Sequence, residues 1–499
     1  MELKTLFKNS SYLISARVAK FISGVVRSKI IAIYLGPLGA GIISQIMQIS
    51  TSMYQFTTLG MNDGLIKQIA ESDKEEKGFP EKLTSLIKSY IVILTLILII
   101  ALIVLIIFSK ELTIYVFGDI KYYAYFLIAL ASFPFLIVNT VSTAVLRGFK
   151  LIKYIARSEL IVIIVNLVLF VPIVYFWGIT GAAIHIALSL LTILIVNAHY
   201  AKKKVLAKMN IRITDTFKAN IKRSSIKELL SFAGFGLTAG LAFTITDIAT
   251  RAIVVSKIGI NELGLYTPVI YWGSLFEGFI SPSIITYLYP RLSEAKSNEE
   301  IGGIINDSLR FITMLFLPFL FISIPIRYQI IPLFYSNEFY SAGNYLPWHF
   351  MGGLFYLWLM MFMQAMTATG RLKTEGIVLI ITCVFDVVVV YYFVSNYGLY
   401  GWMLKFIITP IIFFNFYIIY FKKTIKFKLE KKNLILMAYV IVVFAIQMSI
   451  EKYFVSDYKI NLLIGICFIT ISFFFLSNSE REFVVRKIRL GYNNYIKRK

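Results

Sequence analysis

Long apolar runs recur from one end of the chain to the other, and they constrain the fold more than any other feature. A helix needs about 20 mainly apolar residues to cross a bilayer, and the clearest runs occupy residues 91–109, 161–178, 433–450 and 461–477. Charged residues make up only 15% of the sequence, whereas a soluble domain carries about 25%. The sequence therefore predicts an all-α protein that spans a membrane many times.

Further runs between these four are less purely apolar, and they bring the predicted number of transmembrane helices to about fourteen. In chain order the predicted helices are 13–35, 39–60, 91–109, 124–146, 161–178, 179–199, 229–255, 265–287, 311–332, 345–369, 375–395, 400–421, 433–450 and 461–477.

Lysine and arginine are concentrated in every second loop between these helices. The basic loops are 147–157, 202–227 and 422–432, with the tail after the last helix, whereas loops 35–39, 178–181 and 395–401 carry no charge. Because cytoplasmic loops carry the excess of Lys and Arg, the pattern predicts that both termini are cytoplasmic. The net charge of +23 is then a topology signal, and no nucleic-acid partner is expected.

Glycine and basic motifs repeat within the chain in the same order, about 220 residues apart. Such symmetry predicts that helices one to six and seven to twelve are two copies of one unit, inserted in the same direction about an axis along the membrane normal. The matched motifs are Gly36-x4-Gly41 with Gly259-x4-Gly264, Thr143-Ala144 with Thr367-Ala368 before basic residues, and Gly178-x2-Gly181 with Gly398-x2-Gly401.

The repeat predicts a division of the chain into two six-helix lobes and three smaller parts. Two like lobes about such an axis are typical of transporters, whose substrate site lies between the lobes at mid-depth. The predicted parts are an N-terminal lobe (1–200), a basic cytoplasmic linker at the interface (201–228), a C-terminal lobe (229–421), two extra helices (433–477) and a basic cytoplasmic tail (478–499).

The first helix carries cations at depths where a charge costs at least about 2.5–3.5 kcal/mol. At about 100° per residue, Arg17, Lys20 and Arg27 share one face, whereas Lys29 points elsewhere. Arg17 can alternatively extend to the cytoplasmic interface. Lys20 and Arg27 lie too deep for that, so we interpret them as substrate-binding residues.

The second helix carries a polar stripe made of Gln45, Gln48, Ser52 and Gln55, whose spacing keeps them on one helical face. Amide groups offer both hydrogen-bond donors and acceptors, which suits sugar hydroxyl groups. Hydrogen bonding to neighbouring helices is the alternative for each of these residues.

The second copy also places charges inside its helices. Asp247 and Arg251 lie one turn apart, so Arg251 either binds substrate or pairs with Asp247. Glu277 lies deep in helix eight, and Asp386 in helix eleven could pair with Lys405. Because buried cations outnumber buried acids, the site is expected to attract anions, and arginine suits phosphate oxygens in particular.

The stretch from Ile31 to Ile42 (IAIYLGPLGAGI), the glutamine-rich helix after it and the segment LGMNDG at 59–64 resemble the start of Wzx-type O-antigen flippases. The resemblance is strongest to the branch that includes the lipid III flippase of enterobacterial common antigen. These proteins belong to the multidrug/oligosaccharidyl-lipid/polysaccharide superfamily. The resemblance implies a V-shaped fold of two six-helix bundles with a cationic cavity, in the bacterial inner membrane.

The resemblance also implies an activity: flipping of undecaprenyl-pyrophosphate-linked oligosaccharide from the cytoplasmic to the periplasmic leaflet by alternating access. Asp247, Glu277 and Asp386 are candidate coupling sites for H⁺ or Na⁺. Expected partners are the lipid-linked glycan, membrane lipids and the polysaccharide polymerase machinery. No other cofactor is expected.

Two transport alternatives stay open, a cation-coupled drug exporter of the same superfamily and a lipid II flippase, in which an added helix pair forms a lipid-tail groove. A drug exporter would need acidic residues at the cavity centre, and the first two helices contain none. The sequence predicts a transporter rather than an enzyme, because no nucleotide-binding or hydrolytic motif and no large loop domain occurs. His185, His199 and His349 are isolated in the sequence, so neither a catalytic nor a metal site is predicted.

Overall fold

Helices make up nearly all of the described chain. The computed structural model describes residues 3–58, 60–72, 78–221, 226–227, 229, 235–453 and 457–475, and describes their side chains apart from those of 3–17, 213, 235–238 and 275–286. Within these ranges there is no β-strand, and eleven segments are long and apolar enough to cross a membrane. The predicted class, an all-α multi-pass membrane protein, is therefore confirmed.

The α-helices are numbered here in chain order. They are α1 (Leu3–Thr58), α2 (Met61–Glu71), α3 (Phe79–Ile107), α4 (Ser109–Phe117), α5 (Tyr123–Ala131), α6 (Phe133–Gly148), α7 (Ile152–Ala201), α8 (Ile213–Lys218), α9 (Phe235–Ile258), α10 (Ile260–Leu265), α11 (Thr267–Glu294), α12 (Asn298–Phe334), α13 (Leu346–Ala368), α14 (Leu372–Tyr397), α15 (Leu399–Ile425), α16 (Lys431–Tyr453) and α17 (Tyr458–Ser472).

Two of the longest helices each contain two predicted spans. The backbone of α1 leaves the helical region at Gly36 (φ 60°, ψ −167°), and α7 does so at Gly178 (φ 54°, ψ −133°). Positive φ is open to glycine without steric cost, so these residues mark the turns between predicted helices one and two and between five and six. Predicted helix eight corresponds to α11. Where the chain is described, the predicted spans coincide with helical segments.

The internal repeat is visible in the backbone as well as in the sequence. Residues with positive φ recur about 220 residues apart, and each pair falls at the same place in its copy. The pairs are Gly36 with Gly259, Lys150 with Gly370, Gly178 with Gly398, and Asn210 with Lys426. Two of these positions are held by lysine and one by asparagine, so the repeated conformation extends beyond the glycine motifs that predicted it.

Contacts between Cα atoms divide the chain into two compact units. The first comprises Met1–Pro268, Leu333–Phe339 and Gly376–Trp402, and the second comprises Val269–Pro332, Tyr340–Glu375 and Met403–Lys499. This division follows packing, whereas the predicted lobes 1–200 and 229–421 follow the sequence repeat. The lobe boundaries, the linker 201–228 and the tail 478–499 stay predictions.

Inside the first unit, the equivalent turns of the two copies meet backbone to backbone. A Cβ atom added at Gly41 would overlap the carbonyl oxygen of Ile260, and one added at Gly264 would overlap that of Pro37 and lie 2.9 Å from the amide nitrogen of Gly41. Gly41 and Gly264 occupy the same place in their copies, and so do Pro37 and Ile260. The contact is therefore approximately two-fold symmetric, and glycine at both positions makes it possible.

In the second unit, buried arginines attach α16 to α12. Arg327, which is 4% exposed, pairs with Glu451 at 2.7 Å, and Arg310 pairs with Glu430 at 3.2 Å. Between them the Gln447 amide donates to the carbonyl oxygen of Phe321. The first of the two extra helices is thus fixed along much of its length. A buried arginine is stable only where its charge is paired, which these carboxylates provide.

We expect Gly264→Ala to destabilise the protein by about 1–3 kcal/mol, because the new methyl group must push two backbones apart. The measurement is the thermal unfolding midpoint in detergent. Gly303→Ala is the matched control, since Gly303 is helical and nothing lies within 4 Å of a Cβ atom there. Equal midpoints for the two variants would contradict the close approach.

Candidate functional site

The second half of α1 runs antiparallel to α9, and three contacts fix this register. From the turn outward they are the approach of Gly41 to α10, the hydrogen bond from Arg251 Nη1 to Ser44 Oγ at 3.1 Å, and the hydrogen bond from Thr244 to Gln55. Residue numbers rise along α1 as those of their partners fall. Antiparallel pairing of helices two and seven is what the predicted topology requires.

The acid–base pair of the second copy lies at this interface. Arg251 Nε lies 3.3 Å from both carboxylate oxygens of Asp247, so the intrahelical ion pair considered from the sequence is present. The Arg251 side chain is 10% exposed and that of Asp247 is 40% exposed. The carboxylate therefore holds a nearly buried guanidinium, which also reaches across to Ser44 on α1.

The polar stripe on the second half of α1 divides into different environments. Gln45 is 1% exposed and its amide donates to the carbonyl oxygen of Val116 at 2.6 Å, which ties α1 to α4. Gln48 donates to Ser52 within the stripe at 3.3 Å, and Gln55 accepts from Thr244. Interhelical hydrogen bonding thus engages Gln45 and Gln55, while half-buried Gln48 forms its hydrogen bond within α1.

Arg27 lies over an aromatic platform on α7. Its guanidinium carbon is 5.0 Å from the centre of the Phe170 ring, which is 1% exposed. The ring of His185 packs on the same phenyl group at 4.9 Å, and His185 Nε2 lies 3.0 Å from the carbonyl oxygen of Asn166. An arginine over a ring face gains a cation–π interaction and keeps its positive charge, and such a charge attracts anions.

The other predicted charges differ in how they are placed. Lys20 is exposed on α1, about two turns before Arg27. The side chains of Arg17 and Glu277 lie outside the described residues. Asp386 is half-buried on α14 in the first unit, and its pairing with Lys405 stays a prediction.

Sequence patterns did not reveal two parts of this site. Ser44 lies about 100° from Gln45 but within about 20° of Gln55 around the helix, and the predicted stripe did not include it. Phe170 and His185 are distant in sequence from Arg27, and an aromatic platform leaves no signal in an apolar run. Only the repeat could have suggested that helices one, two and seven meet.

Comparison with known proteins identifies the family of the chain and one similar curated protein. The family model described as "Polysaccharide biosynthesis protein" matches residues 6–296. The lipid III flippase of Escherichia coli (strain K12) is 19% identical over 415 residues, which cover 82% of this chain and 97% of the flippase.

Two solved structures share the fold of the chain. A lipid II flippase, MurJ, in an inward-closed conformation superposes with a TM-score of 0.69 at 19% identity, over 92% of this chain and 98% of its own. An inward-facing multidrug-resistance transporter of the MATE family also gives a TM-score of 0.69, at 16% identity, over 82% of this chain and 94% of its own. At these identities the similarity establishes the fold alone.

We expect substitutions of the two members of the ion pair on α9 to have opposite effects on anion binding. Asp247→Asn removes a negative charge beside Arg251 and should tighten binding of inorganic pyrophosphate by up to about fivefold, whereas Arg251→Gln should weaken it. Isothermal titration of the purified protein measures both. A change in the same direction for the two variants would contradict an electrostatic role for the pair.

Proposed function

We propose that this chain, which belongs to the polysaccharide biosynthesis protein family, is a transporter. It is a flippase that carries an oligosaccharide linked to undecaprenyl pyrophosphate, of the O-antigen repeat-unit type, from the cytoplasmic to the periplasmic leaflet. It works in the bacterial inner membrane with both termini in the cytoplasm, and it operates by alternating access rather than by catalysis.

The observation that carries this proposal is the cationic face of α1. The Arg27 guanidinium lies over the Phe170 ring, and Lys20 lies exposed on the same helical face. A planar guanidinium binds phosphate oxygens through two parallel hydrogen bonds, so Arg27 suits a pyrophosphate group. Arg17 and Arg251 are proposed to add to the same attraction. An organic cation would be repelled, which argues against a drug exporter.

The polar stripe supports the glycan part of the proposal. Gln48 and Ser52 bond to each other, and the amide of Gln48 keeps donor and acceptor capacity for sugar hydroxyls. Gln55 is exposed and already shares its oxygen with Thr244, so it contributes its amide nitrogen. Gln45 is proposed to act indirectly, by fixing the helix against α4. The lipid tail stays in the bilayer.

The symmetric glycine contact supports alternating access. The turns around Gly41 and Gly264 touch at the ends of helices two and seven that the charge pattern predicts to be periplasmic. Separation of these two turns would open that side.

The proposal also includes a coupling ion and a partner. Asp247, Glu277 and Asp386 are the proposed sites at which H⁺ or Na⁺ biases the two states. The polysaccharide polymerase machinery is the proposed recipient of the flipped product. A lipid II flippase is the second candidate, favoured by the helix pair α16 and α17, because an added pair in those flippases forms a groove for the lipid tail.

The test is transport of a fluorescent pyrophosphate-linked glycan in proteoliposomes. Arg27→Ala and Lys20→Ala should each lower the initial rate about tenfold, because each removes a charge that meets the pyrophosphate. Lys29→Ala is the matched control, since Lys29 belongs to the same helix but to another face. Full transport by both of the first two variants would overturn the cationic site.

A further inference from the structure

A fully buried carboxyl group lies in the first turn of α14, in the second unit. Glu375 is 2% exposed, and its Oε2 accepts a hydrogen bond from the hydroxyl of Tyr417 on α15 at 2.6 Å. Tyr417 is itself 2% exposed. No sequence pattern singles out Glu375, because a glutamate at the start of a transmembrane helix usually faces water.

The wall around this pair is aromatic. The ring of Phe362 on α13 stacks on Tyr417 with 6.2 Å between ring centres, and it also packs on Phe421 at 5.5 Å and on Phe427 at 5.5 Å. The phenyl rings beside Tyr417 offer no hydrogen-bond donors to the pair.

Charged groups on the neighbouring elements are turned elsewhere. Arg371, one turn before Glu375, donates to Thr424 at 2.9 Å and lies over the rings of Tyr420 and Phe421. The other lysines nearby in the sequence are exposed: Lys373 on α14, Lys422 and Lys423 on α15, and Lys426 and Lys428 after it. The sequence of α13 contains no Asp, Glu, Lys or Arg, and its one histidine, His349, lies at the far end of the helix. Among the described residues, no lysine or arginine forms an ion pair with Glu375.

We propose that Glu375 and Tyr417 form a proton-binding site that couples protonation to the conformation of the second unit. A buried carboxylate without a counter-charge costs several kcal/mol, so the conformation described here accommodates the neutral acid. Loss of the proton to water leaves a carboxylate that favours a conformation in which this turn of α14 opens. Two side-chain oxygens do not form a metal cage, whereas a proton needs one basic oxygen.

This inference rests on the proposed transport function and deepens it, because it adds Glu375 to Asp247, Glu277 and Asp386 as a site at which H⁺ biases the two states. Protonation closes the turn and ionisation opens it. A pH difference across the membrane would then bias one state over the other, by as much as the two states differ in proton affinity.

The experiment uses the full chain in nanodiscs without substrate. Hydrogen exchange of the amides of α14 is measured from pH 5.5 to pH 8.5 and corrected for the intrinsic pH dependence of exchange. We expect the wild type to exchange about fivefold or more faster at high pH, Glu375→Gln to show no such dependence, and the exposed-site control Glu294→Gln to behave as wild type. Glutamine keeps the shape and the acceptor oxygen but cannot titrate.

Tyr417→Phe gives a second variant that does not depend on Glu375→Gln folding. Removing the hydroxyl should shift the midpoint of the pH response without abolishing it, because the carboxyl group remains. An unchanged response in Glu375→Gln, or an unchanged midpoint in Tyr417→Phe, would overturn the proton site. Failure of the wild type to flip lipid in proteoliposomes while the pH response persists would overturn the proposed function and leave the proton site standing.

Discussion

The approach of two backbones at Gly41 and Gly264 is the constraint on which the rest of the first unit depends. Nothing larger than hydrogen fits at either position, and each glycine faces the carbonyl oxygen of the residue that follows the other copy's turn glycine. This contact sets where the second half of α1 starts against α9. Ser44 then meets Arg251, and Gln55 meets Thr244. Groups from both copies of the repeat are thereby assembled on one face.

Positive charge in this chain serves three physical purposes. Most of it lies in loops, where its alternation predicts orientation. A second set is buried and paired: Arg310 and Arg327 hold α16 against α12 through carboxylates, and their charges are neutralised within the protein. The third set is centred on Arg27, which rests on an aromatic ring. A guanidinium in this position keeps its positive charge, which attracts anions.

The helices, the turns and the repeat could be predicted from the sequence because each produces a local pattern of residues. Apolar runs define the spans, and Gly36 and Gly178 mark the turns since only glycine takes that backbone conformation without cost. The ion pair of Asp247 with Arg251 followed from one-turn spacing. Phe170 beneath Arg27, Ser44 beside Arg251 and the burial of Glu375 could not be predicted, because each depends on which helix packs against which.

We propose that this site recognises a pyrophosphate anion. The most direct measurement compares, in proteoliposomes of the wild-type protein, the initial flipping rates of one glycan joined to the same polyprenyl tail through a pyrophosphate, a single phosphate or an uncharged ether. We expect the flipping rates to fall in that order, with negligible flipping of the ether-linked lipid. Equal rates for all three lipids would contradict it.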